Sequence, residues 1–281
     1  MLTLKAPAKI NWFLHILGRR ADGYHEIESL IQKVTLYDIL CFSPSDDVSV
    51  STAAPLPLEE NLVYRAAMMM KRRWGVRRGA LIRLEKNIPM GAGLGGGSSD
   101  AAAALLGLNR LWELGRVTED LAGLAEELGS DVPFFLSGAL SHVRGRGEKL
   151  TPCRPVNPMH LLLVKPHIDV STAWAYRNYA LLTKKTDKVN NMRHFIRKIE
   201  RAELSGPADG VSNDLESVTL NSYPEIAEVK ERLYREGATF SLMSGSGSAV
   251  FGVFSAPDRA RAAARAFSRR YWTAVVDTMI D

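Results

Sequence analysis

The run Pro89-Met90-Gly91-Ala92-Gly93-Leu94-Gly95-Gly96-Gly97-Ser98-Ser99-Asp100 leads straight into Ala101-Ala102-Ala103-Ala104-Leu105-Leu106, and five of the seven positions from Gly91 to Gly97 are glycine. Without Cβ atoms, such a backbone can turn its N–H groups into one concavity and let a bulky anion approach closely. Ser98 or Ser99 is then expected to cap a strongly helix-forming run. The N-terminus of that helix adds unpaired N–H groups and a partial positive charge, so the chemistry favoured here is phosphate binding. A Walker loop requires Gly-Lys-[Ser/Thr]; this stretch has no lysine, and a positive side chain must come from elsewhere in the fold. Gly91-x-Gly93-x-x-Gly96 meets the dinucleotide spacing, but Pro89 separates it from the strand before, and no strand ending in an acidic residue follows about 20 residues later. A flexible turn that binds nothing is the plain alternative.

Other chemistry-bearing residues are ambiguous one by one. Lys9, Asn11, Phe13 and His15 alternate with Ile10, Trp12, Leu14 and Ile16, the period of a strand with one face buried, so Lys9 and Asn11 point the same way. Taken alone they read as a solvent-facing pair. Asp131, just ahead of Val132-Pro133-Phe134-Phe135, is most simply the N-cap of a short helix. His25 follows the turn-forming Gly18-Arg19-Arg20-Ala21-Asp22-Gly23 and reads as structural. Ser244-Gly245-Ser246-Gly247-Ser248 lies between two apolar runs; a tight hairpin turn and a close backbone approach explain it equally well.

The elements that must position these residues alternate along the chain. Extended structure is expected over Ile27 to Phe42 and Val48 to Thr52, followed by a loop through Pro55 and Pro57. A helix from Asn61 to Trp74 stops at Gly75, and a strand through Ala80 to Glu85 leads into the glycine loop. The helix after the loop is expected to end near Gly115, and Thr118 opens another. A hairpin turns at Gly145-Arg146-Gly147. After Pro152, Pro155 and Pro158 come a buried strand (His160 to Val164), a helix capped by Ser171-Thr172, a polar loop over Lys184 to Asn191, and helices near 192–203, 213–221 and 224–236. The strand Thr239 to Met243, the second glycine cluster and its return strand, a helix at 257–270 and a strand at 272–279 finish the chain. An α+β protein of two domains, 1–155 and 156–281, is expected.

With 281 residues, 46% of them hydrophobic, the chain can build substantial cores. Cys41 and Cys153 give neither a disulfide framework nor a metal-ligand spacing; they read as buried thiols in a reducing, cytoplasmic setting. No stretch has the length of a membrane span. The net charge of +5 is spread over short clusters, Lys71-Arg72-Arg73, Arg77-Arg78 and Arg269-Arg270, without interleaved aromatics. Neither nucleic acid nor a membrane is therefore an expected partner, whereas polyanionic small molecules suit the charge.

Three separated stretches converge on one family. Pro7-Ala8-Lys9-Ile10-Asn11, the Pro89–Asp100 loop and Leu242-Met243-Ser244-Gly245-Ser246-Gly247 resemble, in order and spacing, the three signature motifs of the GHMP kinases, named for galacto-, homoserine, mevalonate and phosphomevalonate kinases. Ala8-Lys9-Ile10-Asn11, Arg20-Ala21-Asp22-Gly23-Tyr24-His25, Gly129-Ser130-Asp131-Val132-Pro133-Phe134-Phe135 and Gly145-Arg146-Gly147-Glu148 are similar to strings of one branch, whose alcohol substrate carries a cytidylyl group and which serves the non-mevalonate route to isoprenoids. The resemblance implies a ribosomal-protein-like N-terminal domain, a ferredoxin-like C-terminal domain, and transfer of a phosphoryl group from ATP with Mg²⁺. It assigns ATP to Pro89, Gly91, Ala92, Gly93, Leu94, Gly95, Gly96, Gly97, Ser98 and Ser99, with Ser99 a metal contact. Asp131 takes the proton from the substrate hydroxyl, and Lys9 holds that carboxylate ionised while countering phosphoryl charge. Asn11 contacts the substrate hydroxyls, His25 the cytosine edge, and Tyr24 and Tyr176 the faces of the ring, with Trp174 and Tyr179 as competitors for the latter place. Arg146 and Thr172 complete the expected substrate-binding set. The adenine pocket falls near Asn61-Leu62-Val63 and Lys86. Trp12 stands where the family usually has leucine.

Overall fold

A computed structural model describes residues 1–53, 57–182, 192–204 and 211–281. In chain order, the first half contains strands β1 (Leu2–Arg19), β2 (His25–Ser45) and β3 (Val48–Thr52), helix α1 (Leu62–Trp74), strand β4 (Gly79–Glu85), and helices α2 (Gly96–Leu111), α3 (Thr118–Leu128) and α4 (Val132–Phe135). The hairpin β5 (Leu140–Gly145) and β6 (Lys149–Cys153) precedes strand β7 (His160–Lys165). Helices α5 (Thr172–Ala180), α6 (Met192–Glu200), α7 (Glu216–Ser222) and α8 (Pro224–Arg235) follow, then strands β8 (Phe240–Met243) and β9 (Val250–Phe254), helix α9 (Pro257–Phe267) and strand β10 (Trp272–Asp277). Pro55 and the polar loop over 184–191 lie outside the described residues. Among those residues, no helix is long and apolar enough to cross a membrane.

The chain forms two compact units that are not consecutive in sequence. Unit 1 comprises residues 1–8, 36–89 and 95–137. In it, the second half of β2 pairs antiparallel with β4, and β3 adds parallel to the far side of β4. Helices α1, α2 and α3 pack on one another. Gly107 brings α2 onto the ring of Phe42 so closely that a Cβ there has no room. Asn61 caps α1 by accepting from the Val63 N–H at 2.9 Å, and Gly75 ends it in the left-handed region at φ +64.

Unit 2 comprises residues 9–35, 90–94 and 138–281. Its antiparallel sheet β10-β7-β9-β8, with α5 to α8 after the first strand in sequence and α9 before the last, has the strand order of a ferredoxin-like fold. The first half of β2 pairs with β5, and β5 with β6. A core cluster runs from Leu14, Ile16 and Ile27 through Leu162 and Val164 to Val229, Leu233 and Phe267. Trp12 is fully buried, its ring edge-on to Phe251 at 5.4 Å and its Nε1–H donated to Gln32 Oε1 at 2.7 Å, so the indole's polar handle is satisfied. Cys41 and Cys153, expected as buried thiols, are only partly buried.

Candidate active site

β1 is buried on both faces from Ala8 to Ile16, so the one-sided strand expected from its alternation is corrected. Lys9 and Asn11 do share a side, but only 3% and 2% of their surfaces are exposed, and the solvent-facing reading fails. Lys9 Nζ donates to Asn11 Oδ1 at 2.5 Å, Asn11 Nδ2 to Ser29 Oγ at 2.8 Å, and Ser29 Oγ to the Phe13 carbonyl at 2.5 Å. An ammonium taken from water needs such partners to stay charged. The relay fixes its position as well.

The same unit holds the first half of the glycine loop. The Lys9 N–H donates to the Leu94 carbonyl at 2.9 Å, Ser244 Oγ to the Gly93 carbonyl at 2.9 Å, and the N–H groups of Ala249 and Ser248 to the Ala92 and Gly91 carbonyls at 3.1 and 3.3 Å. Ala92 and Leu94 bury their side chains. With its carbonyls spent inward, this segment has its N–H groups left over; among the described residues, those from Gly91 to Leu94 go to no protein acceptor. Gly93 has φ +73, and a Cβ there would run into the Ser244 carbonyl. At Gly245, φ +55, a Cβ would sit 3.1 Å from the Gly93 carbonyl oxygen and 3.2 Å from Lys9 Nζ. The second glycine cluster is therefore a close backbone approach as well as a turn between β8 and β9. Thus Lys9 and Asn11, the Gly91–Leu94 segment and the second glycine cluster meet inside unit 2.

Asn213, which sequence reasoning passed over, holds this cluster in place. Its Nδ2 donates to the carbonyls of Met243 and Gly245 at 2.9 and 2.6 Å, and its Oδ1 accepts from the Leu215 N–H. The neighbouring Asp214 accepts from the Ile16 N–H at 2.7 Å and the Tyr179 hydroxyl at 3.2 Å. An Asn-Asp pair ahead of a helix signals a cap, and nothing local to the pair tells which distant carbonyls it will serve.

A second group in unit 2 surrounds the turn at residues 20–24. There Arg20 bridges Asp22 and Glu26, and Asp22 accepts from the Tyr24 N–H. The His25 ring stacks on Tyr176 at 5.2 Å and 28°, while the Arg146 guanidinium lies over the half-exposed Tyr24 ring at 5.2 Å. Thr172 Oγ1 is 3.0 Å from Ser246 Oγ, which joins the start of α5 to the second glycine cluster. Of the competing aromatics, Trp174 packs edge-on against Tyr223 and Tyr179 is buried against Asp214, so Tyr176 is the one placed beside His25.

Unit 1 holds the other half of the loop. α2 begins at Gly96 with Gly95 as its cap at φ +71, so neither Ser98 nor Ser99 caps it, as had been expected; both lie in the first turn. Glycine serves here because the chain must enter the helix through the left-handed region. Ser99 Oγ is buried, with no hydrogen-bond partner among the described residues. Lys86 forms ion pairs with Asp38 and, at 2.7 Å, with Asp100. Burial pushes the Asp100 carboxyl up, Lys86 pulls it down and Asp38 pushes it up again, for a net rise. A Cβ on Gly96 would lie 3.2 Å from Lys86 Nζ, and one on Gly97 3.7 Å from Leu62, so these two residues border the first turn of α2. Asp131 does occupy the N-cap position of α4, yet its side chain makes no capping hydrogen bond there. Among the described residues, no group of three or more His, Cys, Asp or Glu side chains could hold a metal.

Residues 61–139 match the family model for the GHMP kinases N terminal domain and residues 188–273 that for GHMP kinases C terminal. A relative from Thermodesulfovibrio yellowstonii, named 4-diphosphocytidyl-2-C-methyl-D-erythritol kinase, is 42% identical over 100% of this chain and 99% of its own. A crystal structure of 4-(cytidine 5'-diphospho)-2C-methyl-D-erythritol kinase superposes with a TM-score of 0.85 at 37% identity, covering 99% of each chain. Homoserine kinase from Cytophaga hutchinsonii, at 19% identity and a TM-score of 0.72 over 99% of this chain and 94% of its own, shares the fold. By motif, fold and near full-length likeness, the chain belongs to the GHMP kinase family and groups there with the 4-diphosphocytidyl-2-C-methyl-D-erythritol kinases.

Proposed function

We propose that this protein transfers the γ-phosphoryl group of ATP to the 2-hydroxyl of 4-diphosphocytidyl-2-C-methyl-D-erythritol, a step of the non-mevalonate route to isoprenoids. The observation that carries the reading is the meeting, in one unit, of the Lys9–Asn11 pair with Gly93, Leu94 and Gly245. It gives a lysine-free glycine loop its cation. Phosphoryl transfer is chiefly positioning and charge stabilisation about a loose transition state, which is what an immobilised ammonium and free backbone amides supply. Pro89 and the residues from Gly91 to Ser99 bind the ATP phosphates in this account, and Lys9 balances the charge that develops on the phosphoryl group. Asn11 orients the acceptor hydroxyl, and Asp131 takes its proton as general base. The buried, unpartnered Ser99 Oγ fits a hydroxyl that contacts Mg²⁺, whose chemistry there is to neutralise phosphate charge.

The cytidylyl handle is assigned to Tyr24, His25, Arg146, Thr172 and Tyr176. Faces of aromatic rings accept any base, whereas an imidazole edge reads hydrogen-bonding groups and so selects. We place the family's domain boundary near residue 155, between the two matched stretches. The two thiols, both free, suit a cytoplasmic enzyme. Incubation with ATP, Mg²⁺ and the cytidylyl alcohol is the test. ADP release with a new phosphomonoester resonance coupled to C2 of the erythritol is the expected result; no release, or phosphate on another oxygen, would refute the assignment.

A further inference from the structure

The glycine loop has a neck, and the neck is built from buried charge. Lys86 stands three residues before Pro89 and Asp100 directly after Ser99, so the ion pair between them, 2.7 Å long, closes the chain on itself around the loop. Asp38, from β2, completes the closure. Its Oδ2 pairs with Lys86, and its Oδ1 accepts from the N–H groups of both Asn87 and Ile88, at 2.6 and 2.8 Å. The Asp38 side chain is fully buried and that of Asp100 nearly so, with Lys86 only 15% exposed. Ionisable groups removed from water cost several kcal/mol each, when charged, unless mutually satisfied. Apolar side chains would fill the space at less risk, so stability alone is a weak reason for this construction. The geometry instead ties the segment before the loop, through a single ammonium, to the first turn of α2. That ammonium lies close under Gly96, where Gly96, Gly97 and Ser98 present the unpaired N–H groups of a helix start.

We infer that the Asp38–Lys86–Asp100 triad is a clasp that closes the neck of the glycine loop and holds the Gly95–Ser99 backbone in its phosphate-accepting form, so that it sets the affinity for ATP as a positioning device. This rests on the reading of the loop as the ATP site. Directional charge-assisted hydrogen bonds hold geometry more tightly than apolar packing does. Lys86, Asp38 and Asp100 spend that directionality on the chain entering and leaving the loop.

The test is the pair Lys86→Met with Asp100→Asn, which removes one positive and one negative charge and so keeps the net charge of the cluster unchanged, with Asp38 still held by the N–H groups of Asn87 and Ile88. Asp100→Asn alone is the conservative control, since its amide oxygen still accepts from Lys86. For the double variant the expected result is a KM for ATP raised about tenfold or more, with the KM for the alcohol changed less than about twofold. Amide hydrogen exchange should be faster where the loop enters α2, at the bonded amides of residues 99–102, and unchanged in β4 and α1, and the single variant should recover most of both effects. A folded double variant with wild-type KM for ATP and wild-type exchange at those amides would overturn the proposal. So would exchange accelerated evenly across the unit, the mark of a merely structural pair. Should the wild type phosphorylate no alcohol at all, the functional reading fails, while faster exchange confined to those amides still supports the clasp.

Discussion

At the level of single side chains, Lys9 is the residue whose surroundings most constrain its chemistry. It is only 3% exposed and its ammonium donates to Asn11 Oδ1 at 2.5 Å, so the position of the charge is tied to β1. Alternation along β1 revealed that Lys9 and Asn11 share a face; it could not reveal that this face is covered, because the cover comes from residues 93–94 and 245, remote in sequence. Asp131 was legible as a helix start, and it does stand at the N-cap position of α4, without a side-chain capping bond. Asp131→Asn should keep ATP affinity while lowering kcat by about 10² to 10⁴, the usual loss with a general base; steady-state kinetics at saturating ATP checks this, and a wild-type kcat would remove Asp131 from the mechanism. Among the aromatics, Tyr176→Ala should raise the KM for the cytidylyl alcohol by about tenfold, in line with base stacking worth roughly 1–3 kcal/mol, with kcat little changed. Trp174→Ala, whose ring packs on Tyr223, should lower the melting temperature instead.

Elements were read well where their signals are local. Asn61 and Gly75 bracket α1, and Ser171 caps α5 by accepting from Trp174, as expected. α2 is instructive because three glycines and two serines compete for its start. The serines carry the better capping side chains, but the chain arrives with Gly95 in the left-handed region, and the helix starts there. A glycine with no Cβ clearance is harder to see in sequence than one in a turn. Gly93 has both a positive φ and the Ser244 carbonyl against it. Gly93→Ala should therefore shift the loop off the second glycine cluster, raising the KM for ATP by at least about tenfold and lowering the melting temperature, measurable by kinetics and calorimetry on the same preparation. Asn213→Ala, which strands the Met243 and Gly245 carbonyls, should cost about 1–3 kcal/mol of stability in denaturant titrations.

Across the whole molecule, the order of α and β elements was readable, whereas the interleaved division into units was not. β1 and β2 each contribute to both units, and composition carries no mark of where a long strand passes from one to the other. Lys33 illustrates the energetic consequence of such long strands. Its backbone N–H donates to the Ala139 carbonyl and its own carbonyl accepts from the Met279 N–H, so its side chain is carried into the interior with them; burial lowers its pKa to about 8. Below pH 8 both folded and unfolded chains hold that proton, and the folded state bears the full cost of the buried charge. Between pH 8 and the ordinary lysine value near 10.5, the unfolded chain holds more protons, so stability rises with pH. Lys33→Met should accordingly stabilise the protein by about 1–3 kcal/mol at pH 7, with the advantage shrinking as the pH approaches 10.5. Thermal melts at the two pH values check it.

The most direct measurement is a competition. Equal amounts of 4-diphosphocytidyl-2-C-methyl-D-erythritol, homoserine and mevalonate are offered together with limiting γ-labelled ATP and Mg²⁺, so that label partitions by kcat/KM. The account expects the cytidylyl product to take essentially all of it, by a ratio of about 10⁴ or more, because a site built to hydrogen-bond a base discriminates strongly against ligands that lack one. Label appearing chiefly in homoserine or mevalonate would contradict it.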